Sequence, residues 1–443
     1  MSVRTSLFYA ALSLTCVLPA PLGCGAALPI QQWTAGTGAQ VYFVESHDLP
    51  MLDVSVEFPA GSARDVPEKS GVANLALQLL RLGADGMSED RIARRLADVG
   101  ALLNTSFDVD RAGYSVRTLS SDAEQRETLA VLARLLQAPS FPADVLEREK
   151  ARAIAGLQES DTKPESIAAR TFARLVFRDH PYALRGTGEP GTLAGITRDD
   201  LVDFYRGHYN ADRAVVGIIG DITRLRAEQI AQELTAGLPR APGALAAPLP
   251  VLPLTGAVER DVDHPSAQAH ILLGQPGMKR SDPDYFPLWV GNYILGGGGF
   301  SSRLYAQVRE KRGLSYSVYS FFAPYQQPGA FQIGLQTRGD QAKEALTVVD
   351  SVLADFVATG PTQQELEAAK QNIVGGFALR VDSNRKILDY LAVIGFYRLP
   401  LDYLDSFTTK VEAVTVEQIR DAFRRRIDPG RLVTVVVGAK PAH

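Results

Sequence analysis

The feature that most constrains the fold is an internal repeat, in which each half of the chain ends with the same pattern. Four positions recur at a constant offset of 218 residues: Thr197 with Thr415, Tyr205 with Phe423, Arg213 with Arg431 and Gly220 with Gly438. At this offset a predicted helix over 199–206 matches one over 417–424, and the apolar strand 214–220 matches 432–438. A repeat of this length predicts two domains with one fold.

The predicted fold class is α+β, with two homologous αβ domains. Alternating apolar and polar residues over 52–58 predict a strand, and apolar residues at helical spacing over 70–82 predict a helix. The pattern favours a mixed, largely antiparallel sheet with packed helices in each domain. We expect an N-terminal domain over 28–237 and a C-terminal domain over 255–443. Between them, residues 238–254 hold five prolines, which indicates a stiff linker.

The first 27 residues are predicted to be a signal peptide. Arg4 is followed by a short apolar run over 7–18, and small residues stand before a cleavage site after Ala27. A membrane-spanning helix needs about 20 apolar residues, so no transmembrane span is expected. We therefore expect a periplasmic protein. Cys24 leaves lipoprotein processing open, although Pro21 stands where such a signal normally has Leu.

Composition narrows the classes of function. Both cysteines, Cys16 and Cys24, lie in the predicted signal, so the mature chain is expected to contain no disulfides. The chain has 46 basic and 50 acidic residues, for a formal net charge of −4, and no basic tract. Nucleic-acid binding therefore lacks its usual electrostatic signature.

One stretch, Leu295–Phe321, combines unusual local structure with hydrogen-bond donors. Four glycines are followed by a predicted helix that ends at Gly313, and then by a predicted strand. Arg309 and Tyr316 flank the end of this helix, and both are suited to binding a carbonyl oxygen or an oxyanion. Taken alone, they are more often a solvated Arg and a packed Tyr. The stretch is expected at the place that Ser70–Leu82 holds in the first half.

The order of these elements resembles the pitrilysin/insulinase family of peptidases over nearly the whole mature chain. That family carries an inverted zinc motif, His-x-x-Glu-His, on the first helix after an early loop. Here Asn74 and Gln78 stand at the two histidine positions and Leu77 at the general-base position. A later helix supplies the third ligand in the family, and Ala155 stands at that position here.

These replacements remove the chemistry of the zinc site. Hydrolysis needs about three protein ligands, a bound water and a base. Amides are poor zinc ligands, and Leu77 and Ala155 offer no ligand atom. The remaining histidines are not paired at i, i+4 spacing. We therefore expect no metal or other cofactor in this chain, with zinc held by a partner subunit.

The resemblance gives the glycine-rich stretch a role. Family members place an Arg and a Tyr, with six residues between them, opposite the zinc site, and Arg309 and Tyr316 have this spacing. In the family the pair holds the substrate carbonyl and steadies the oxyanion. The glycines Gly296, Gly297, Gly298 and Gly299 are expected to line the chamber, where a peptide backbone can approach them. A tight turn that starts a helix explains these glycines equally well.

The main hypothesis is a non-catalytic subunit of a periplasmic zinc peptidase. It would pair with a homologous zinc-bearing chain, bind unfolded peptide and supply Arg309 and Tyr316 in trans. The alternative is a structural, assembly or peptide-binding protein of the same fold without a proteolytic role. A stand-alone peptidase of another mechanism is disfavoured because the sequence shows no arrangement of Ser, Cys and His that would activate a nucleophile.

Overall fold

The computed structural model describes residues 29–241 and 243–438. The predicted signal peptide and the alternative lipidation site at Cys24 lie outside the described residues. Within the described residues, no helix is long and apolar enough to cross a membrane.

The first half of the chain forms one mixed sheet, a small hairpin and a helical layer. Its strands are β1 (Gln31–Thr34), β2 (Gln40–Glu45), β3 (Met51–Phe58), β4 (Gly83–Ala84), β5 (Met87–Ser88), β6 (Leu102–Phe107), β7 (Ala112–Leu119) and β8 (Val215–Gly220). Its helices are α1 (Val72–Leu80), α2 (Glu89–Asp98), α3 (Asp122–Gln137), α4 (Ala143–Ser160), α5 (Pro164–Phe177), α6 (Pro190–Gly195), α7 (Arg198–His208) and α8 (Arg224–Thr235). The sheet has the order β1-β2-β8-β3-β7-β6, and β4 pairs with β5 separately.

The second half repeats this plan. Its strands are β9 (Val258–Asp263), β10 (Gln268–Pro276), β11 (Ser317–Phe322), β12 (Ala330–Arg338) and β13 (Val433–Gly438). Its helices are α9 (Tyr285–Asn292), α10 (Ala342–Thr359), α11 (Gln363–Gly375), α12 (Asn384–Tyr397), α13 (Phe407–Glu412) and α14 (Val416–Arg426). The sheet has the order β11-β12-β10-β13-β9, so β11 lies at an edge.

The two sheets confirm the α+β class and the duplication. Read from the opposite edge, the second sheet runs β9-β13-β10-β12-β11, which matches β2-β8-β3-β7-β6 of the first. Each sheet has one parallel pair at the equivalent place, β2 with β8 and β9 with β13, and its other pairs are antiparallel. The two repeated threonines are both N-caps: Thr197 caps α7 and Thr415 caps α14 through equivalent side-chain hydrogen bonds.

Each half also covers part of the other half's sheet with a helix. Phe172 and Val176 of α5 are buried with Val435 of the second sheet. In return, Leu391 of α12 is buried with Tyr42 of the first sheet. The sequence repeat does not indicate this exchange, because the apolar face of an isolated helix does not identify the sheet that it covers.

The segment between α8 and β9 is bound along the first half. Residues 243–257, like 236–241, form no helix or strand. Side chains of the first half donate to its carbonyl oxygens, with Arg64 Nη1 3.1 Å from Ala246 O and Arg178 Nη2 3.0 Å from Pro253 O. The segment is therefore restricted both by its prolines and by these side-chain hydrogen bonds.

One expectation from the repeat is wrong. In the first half α1 follows β3, and in the second half α9 follows the equivalent strand β10. The counterpart of α1 is therefore α9 and not the stretch Leu295–Phe321. That stretch follows α9 and leads into β11. The reason is that the connection between the first core helix and the edge strand has a different local structure in the second half, where irregular helical turns replace β4, β5 and α2.

Candidate functional site

The glycine-rich stretch consists of short, irregular helical turns. A π-helical turn over Tyr293–Gly297 continues α9, and a second one covers Tyr305–Glu310. Gly313 follows in the left-handed conformation, with φ of 62°, as the sequence predicts. The single regular helix expected before Gly313 is therefore replaced by wider turns. Such π-helical turns occur frequently at functional sites.

Three of the four glycines are required by packing. A Cβ at Gly296 would lie 2.5 Å from Ser320 Oγ, and one at Gly298 would lie 2.7 Å from Tyr293 O. At Gly297 it would lie 2.7 Å from the side-chain amide of Asn292. Gly299 differs, because its surroundings are open and its φ is 59°. A tight turn therefore explains Gly296–Gly298. The predicted approach of a peptide backbone is sterically easiest at Gly299, where the surroundings are open.

Asn292 and Ser320 lock this turn to the edge strand. Ser320 Oγ donates to Asn292 Oδ1 over 2.8 Å, and Asn292 Nδ2 donates to Ser320 O over 3.1 Å. Both residues are buried. Because a buried polar pair is costly to break, these bonds hold the glycine turn and β11 in one arrangement.

Arg309 and Tyr316 lie against each other. The guanidinium carbon of Arg309 is 4.8 Å from the centre of the Tyr316 ring and 4.9 Å from that of Tyr305. Phe300 lies 5.9 Å away, so three aromatic rings surround the cation. Sequence reasoning missed Phe300, although its aromatic character near Arg309 was a usable signal. Cation–π contacts of this kind hold a guanidinium in place without using its N–H groups.

The polar atoms of this pair remain free for a ligand. Within the described residues, neither the Arg309 guanidinium nor the Tyr316 hydroxyl forms a hydrogen bond or an ion pair. Tyr316 is 81% exposed. Its neighbour Ser315 anchors the backbone, with Oγ 2.6 Å from Ser317 O and 2.7 Å from Gln336 O. The result is a fixed backbone that presents a free phenol beside a free cation.

Arg303 fixes the beginning of the same segment. Its guanidinium forms two parallel hydrogen bonds with Glu365, of 2.6 and 2.7 Å, and a 3.1 Å contact with Asp355. Side-on Arg–carboxylate pairs of this type are geometrically specific. The turns that carry Arg309 are therefore anchored on α10 and α11 at one end and on β11 at the other.

The vacated zinc positions lie on α1 as the sequence predicts, one turn apart. Asn74 and Gln78 are half-buried, and Leu77 is fully buried in the core of the first half. The carbonyl oxygen of Leu77 accepts a hydrogen bond from the Tyr114 hydroxyl. A buried aliphatic side chain at the base position cannot move a proton.

The residues present do not fit a zinc ion. Ala155 is exposed on α4 and carries no ligand atom. Within the described residues, no group of three or more His, Cys, Asp or Glu side chains is placed to hold a metal. No hydrogen bond, ion pair or ring contact among these residues joins Arg309 or Tyr316 to the α1 positions.

Asp65 caps the start of α1 from a distant position in the sequence. Its carboxylate accepts from the backbone N–H of Gly71 at 2.7 Å and of Ala73 at 2.9 Å. Burial raises the pKa of Asp65 to about 7, against the opposing effect of these two hydrogen bonds. Because Asp65 lies six residues before Gly71, the sequence pattern did not identify it as the capping residue.

Comparisons with known proteins agree with this geometry. Residues 41–188 match the family model described as insulinase (peptidase family M16), and residues 195–373 match that of the peptidase M16 inactive domain. A crystal structure of a peptidase M16 inactive domain from Pseudomonas fluorescens is 37% identical, has a TM-score of 0.90 and spans 94% of this chain and 100% of that chain. The chain belongs to the M16 family of peptidases. The resemblance to the pitrilysin/insulinase family is thereby confirmed.

Curated M16 relatives span nearly the whole chain. A Helicobacter pylori protein described as non-peptidase homolog YmxG is 25% identical over 430 residues, which cover 96% of this chain and 98% of the relative. A Bacillus subtilis protein described as uncharacterized zinc protease YmxG is 24% identical over 404 residues, covering 89% and 95%. An M16 chain with these matches and with vacated ligand positions fits a non-catalytic subunit.

Proposed function

We propose that this M16 chain is the zinc-free subunit of a two-chain periplasmic peptidase. It pairs with a homologous subunit that carries the complete zinc motif, and the two chains enclose an unfolded peptide. Arg309 and Tyr316 then act on the peptide that the partner cleaves. The observation that carries this proposal is the free, anchored Arg309–Tyr316 pair in a chain whose own ligand positions are vacated.

The chemistry of the pair suits peptide hydrolysis. The planar guanidinium of Arg309 has five donors, and its contact with the Tyr316 ring restricts its orientation. It can hold the carbonyl oxygen of a peptide bond next to the scissile one. Tyr316 can donate its hydroxyl hydrogen to the oxygen on which negative charge develops. Preorganised donors of this kind stabilise the transition state more than the ground state.

The proposal includes a periplasmic location for the mature chain. Cleavage after Ala27 would release a mature chain that begins at Leu28. Mass spectrometry of the protein from the periplasmic fraction would report this N-terminus. A diacylated Cys24 in that measurement would instead make the protein a lipoprotein.

The proposal is tested by co-expressing this chain with a His-x-x-Glu-His homologue from the same organism. We expect the two chains to co-purify in equal amounts and to cleave an unfolded peptide only when both are present. A complex that forms but cleaves no faster than the zinc-bearing chain alone would instead support the assembly role. Failure of the chains to associate would contradict both the pairing and the supply of residues in trans.

A further inference from the structure

A cavity of about 480 Å³ lies where the two halves of the chain meet. Its lining includes Arg213 and Asp212 from the first half and Arg280, Tyr325 and Arg398 from the second. Neither Arg309 nor Tyr316 lines this cavity: the pair precedes β11, whereas Tyr325 lies three residues beyond the other end of that strand. The cavity is therefore separate from the proposed peptide site.

The three arginines of this cavity lack acidic partners. Within the described residues, none of the three guanidinium groups lies within ion-pair distance of a carboxylate, whereas the half-buried Arg303 and Arg426 are both paired with acidic side chains. Arg213 donates to the carbonyl oxygens of Gly207 and Gly243. Among the residues that line the cavity, Asp212 is the only acidic one, and it accepts from the Ala241 N–H. Among the lining residues, three arginines therefore face one aspartate, while the carboxylate of Asp110 lies behind the lining and accepts from the Tyr397 hydroxyl and the Gln326 N–H.

Arg280 is held in place but not fully satisfied. Its Nη1 donates to the Tyr285 hydroxyl over 3.0 Å, and its guanidinium lies 5.7 Å and 5.4 Å from the centres of the Tyr285 and Tyr397 rings. Its Nε is buried and has no hydrogen-bond partner. An unpaired buried donor of a charged group carries a desolvation cost that an incoming acceptor removes.

Arg398 offers a completely free cation. Its side chain is exposed and forms no hydrogen bond or ion pair in the described part of the chain. It adopts a left-handed backbone conformation, with φ of 53°, directly after α12. Non-glycine residues are uncommon in this conformation, so the position of Arg398 at the cavity carries a conformational cost.

The positive charge of Arg213 affects the protonation of His208. His208 has a buried Nδ1 without a partner. Burial lowers the pKa of His208 to about 4, and the positive charges of Arg64 and Arg213 contribute to the decrease.

We propose that this cavity binds an oxyanion, a phosphate or carboxylate group, through Arg280 and Arg398 of the second half and Arg213 of the first. Guanidinium forks match the paired oxygens of both groups. Because the cations come from both halves, a bound anion joins the halves and raises the melting temperature.

The test is calorimetric titration of the purified chain alone, at constant ionic strength, with inorganic phosphate and separately with succinate. We expect a dissociation constant below about 1 mM for at least one of them. Binding of phosphate alone assigns a phosphate ligand, and binding of succinate alone assigns a carboxylate.

Three variants locate the binding. Arg398→Gln removes no internal hydrogen bond and should weaken the affinity at least about tenfold, as should Arg280→Gln. Arg91→Gln, an exposed and unpaired position on α2, makes the same change in net charge and should leave the affinity unchanged.

Two results would overturn the proposal: absence of binding of both anions to the wild-type chain, or equal weakening in Arg91→Gln and Arg398→Gln. The titration needs no zinc-bearing partner, so either result leaves the proposed function untouched.

Discussion

The hydroxyl of Tyr397 donates a 2.9 Å hydrogen bond to Oδ2 of Asp110, so the end of α12 is tied to the loop between β6 and β7 of the first half. The same carboxylate accepts from the Tyr182 hydroxyl at 2.8 Å and from the Gln326 N–H at 2.7 Å. Asp110 is 5% exposed. A buried carboxylate with donors from both halves makes the relation between the halves sensitive to each of its hydrogen bonds.

Tyr397→Phe should lower the stability of the chain by about 1–3 kcal/mol, the usual cost of losing a hydrogen bond to a charged, buried group. Combining it with Tyr182→Phe should cost more than the sum of the single changes, because Asp110 then keeps one of its three donors. Denaturant unfolding of the two single variants and the double variant measures this coupling. Tyr319→Phe removes an exposed hydroxyl and is the control. Additive effects would show that the hydrogen bonds act independently.

The repeat predicted the most regular parts of this fold. Equivalent threonine caps and the apolar run over 214–220 reflect local rules of helix capping and strand burial, which sequence patterns report directly. The same holds for α1, where Asn74 and Gln78 share a face because they are four residues apart. The sequence also placed Arg309 and Tyr316 at the end of one predicted helix, whereas a shared role for them followed only from the family resemblance.

Long-range partners could not be predicted in this way. Asp65 caps a helix that begins several residues later, and Asp110 receives donors from residues more than 200 positions away. The π-helical turns depend on the tight fit of Gly296 against Ser320. Each of these features arises from tertiary packing, which overrides local propensity.

His208 should make the chain less stable in mild acid. Burial lowers its pKa to about 4, whereas the unfolded chain has an imidazole pKa of about 6.5. Between these values the unfolded state binds more protons, so this contribution is complete above pH 6.5 and is lost as the pH falls towards 4. His208→Gln should flatten that part of the stability profile.

The measurement is the difference in melting temperature between His208→Gln and the wild-type chain from pH 7.5 to pH 4, which cancels the contributions of other groups. His47→Gln is the contrasting variant, because hydrogen bonds from His47 to Asp221 and Glu45 raise the pKa of this imidazole. Its contribution has the opposite sign and is lost as the pH rises. A constant difference across the range for His208→Gln would refute the assignment.

The purified chain should hold no stoichiometric zinc. Leu77 is packed in the core and Ala155 has no ligand atom, so the α1 face offers two amides at most. Amides compete poorly with imidazole and thiolate for zinc. Elemental analysis after dialysis against zinc, with a His-x-x-Glu-His homologue treated in parallel, checks this. One tightly bound zinc per chain would show that another ligand set exists.

Arg309→Ala should impair both binding and turnover in the reconstituted pair. A guanidinium that holds a peptide carbonyl acts in the ground state and in the transition state, so KM should rise while kcat falls. The loss of its cation–π contacts should cost about 0.5–1 kcal/mol of stability at most. Steady-state kinetics, with the melting temperature recorded for the same variant, separates the two effects. A lower melting temperature with unchanged kinetics would make Arg309 a purely structural residue.

Tyr316→Phe gives the sharpest test of the mechanism, because it removes one hydroxyl and almost no volume. The ring keeps its 4.8 Å contact with the Arg309 guanidinium, and the hydroxyl forms no internal hydrogen bond in the described residues, so the fold and the pairing should be unchanged. If the phenol donates to the oxyanion, kcat of the complex should fall by about 10- to 1000-fold with little change in KM. Tyr319→Phe, three residues further along the chain, removes another exposed hydroxyl and should leave kcat unchanged. Wild-type kinetics in Tyr316→Phe, together with an intact complex, would exclude the supply of this residue in trans and would favour the assembly role.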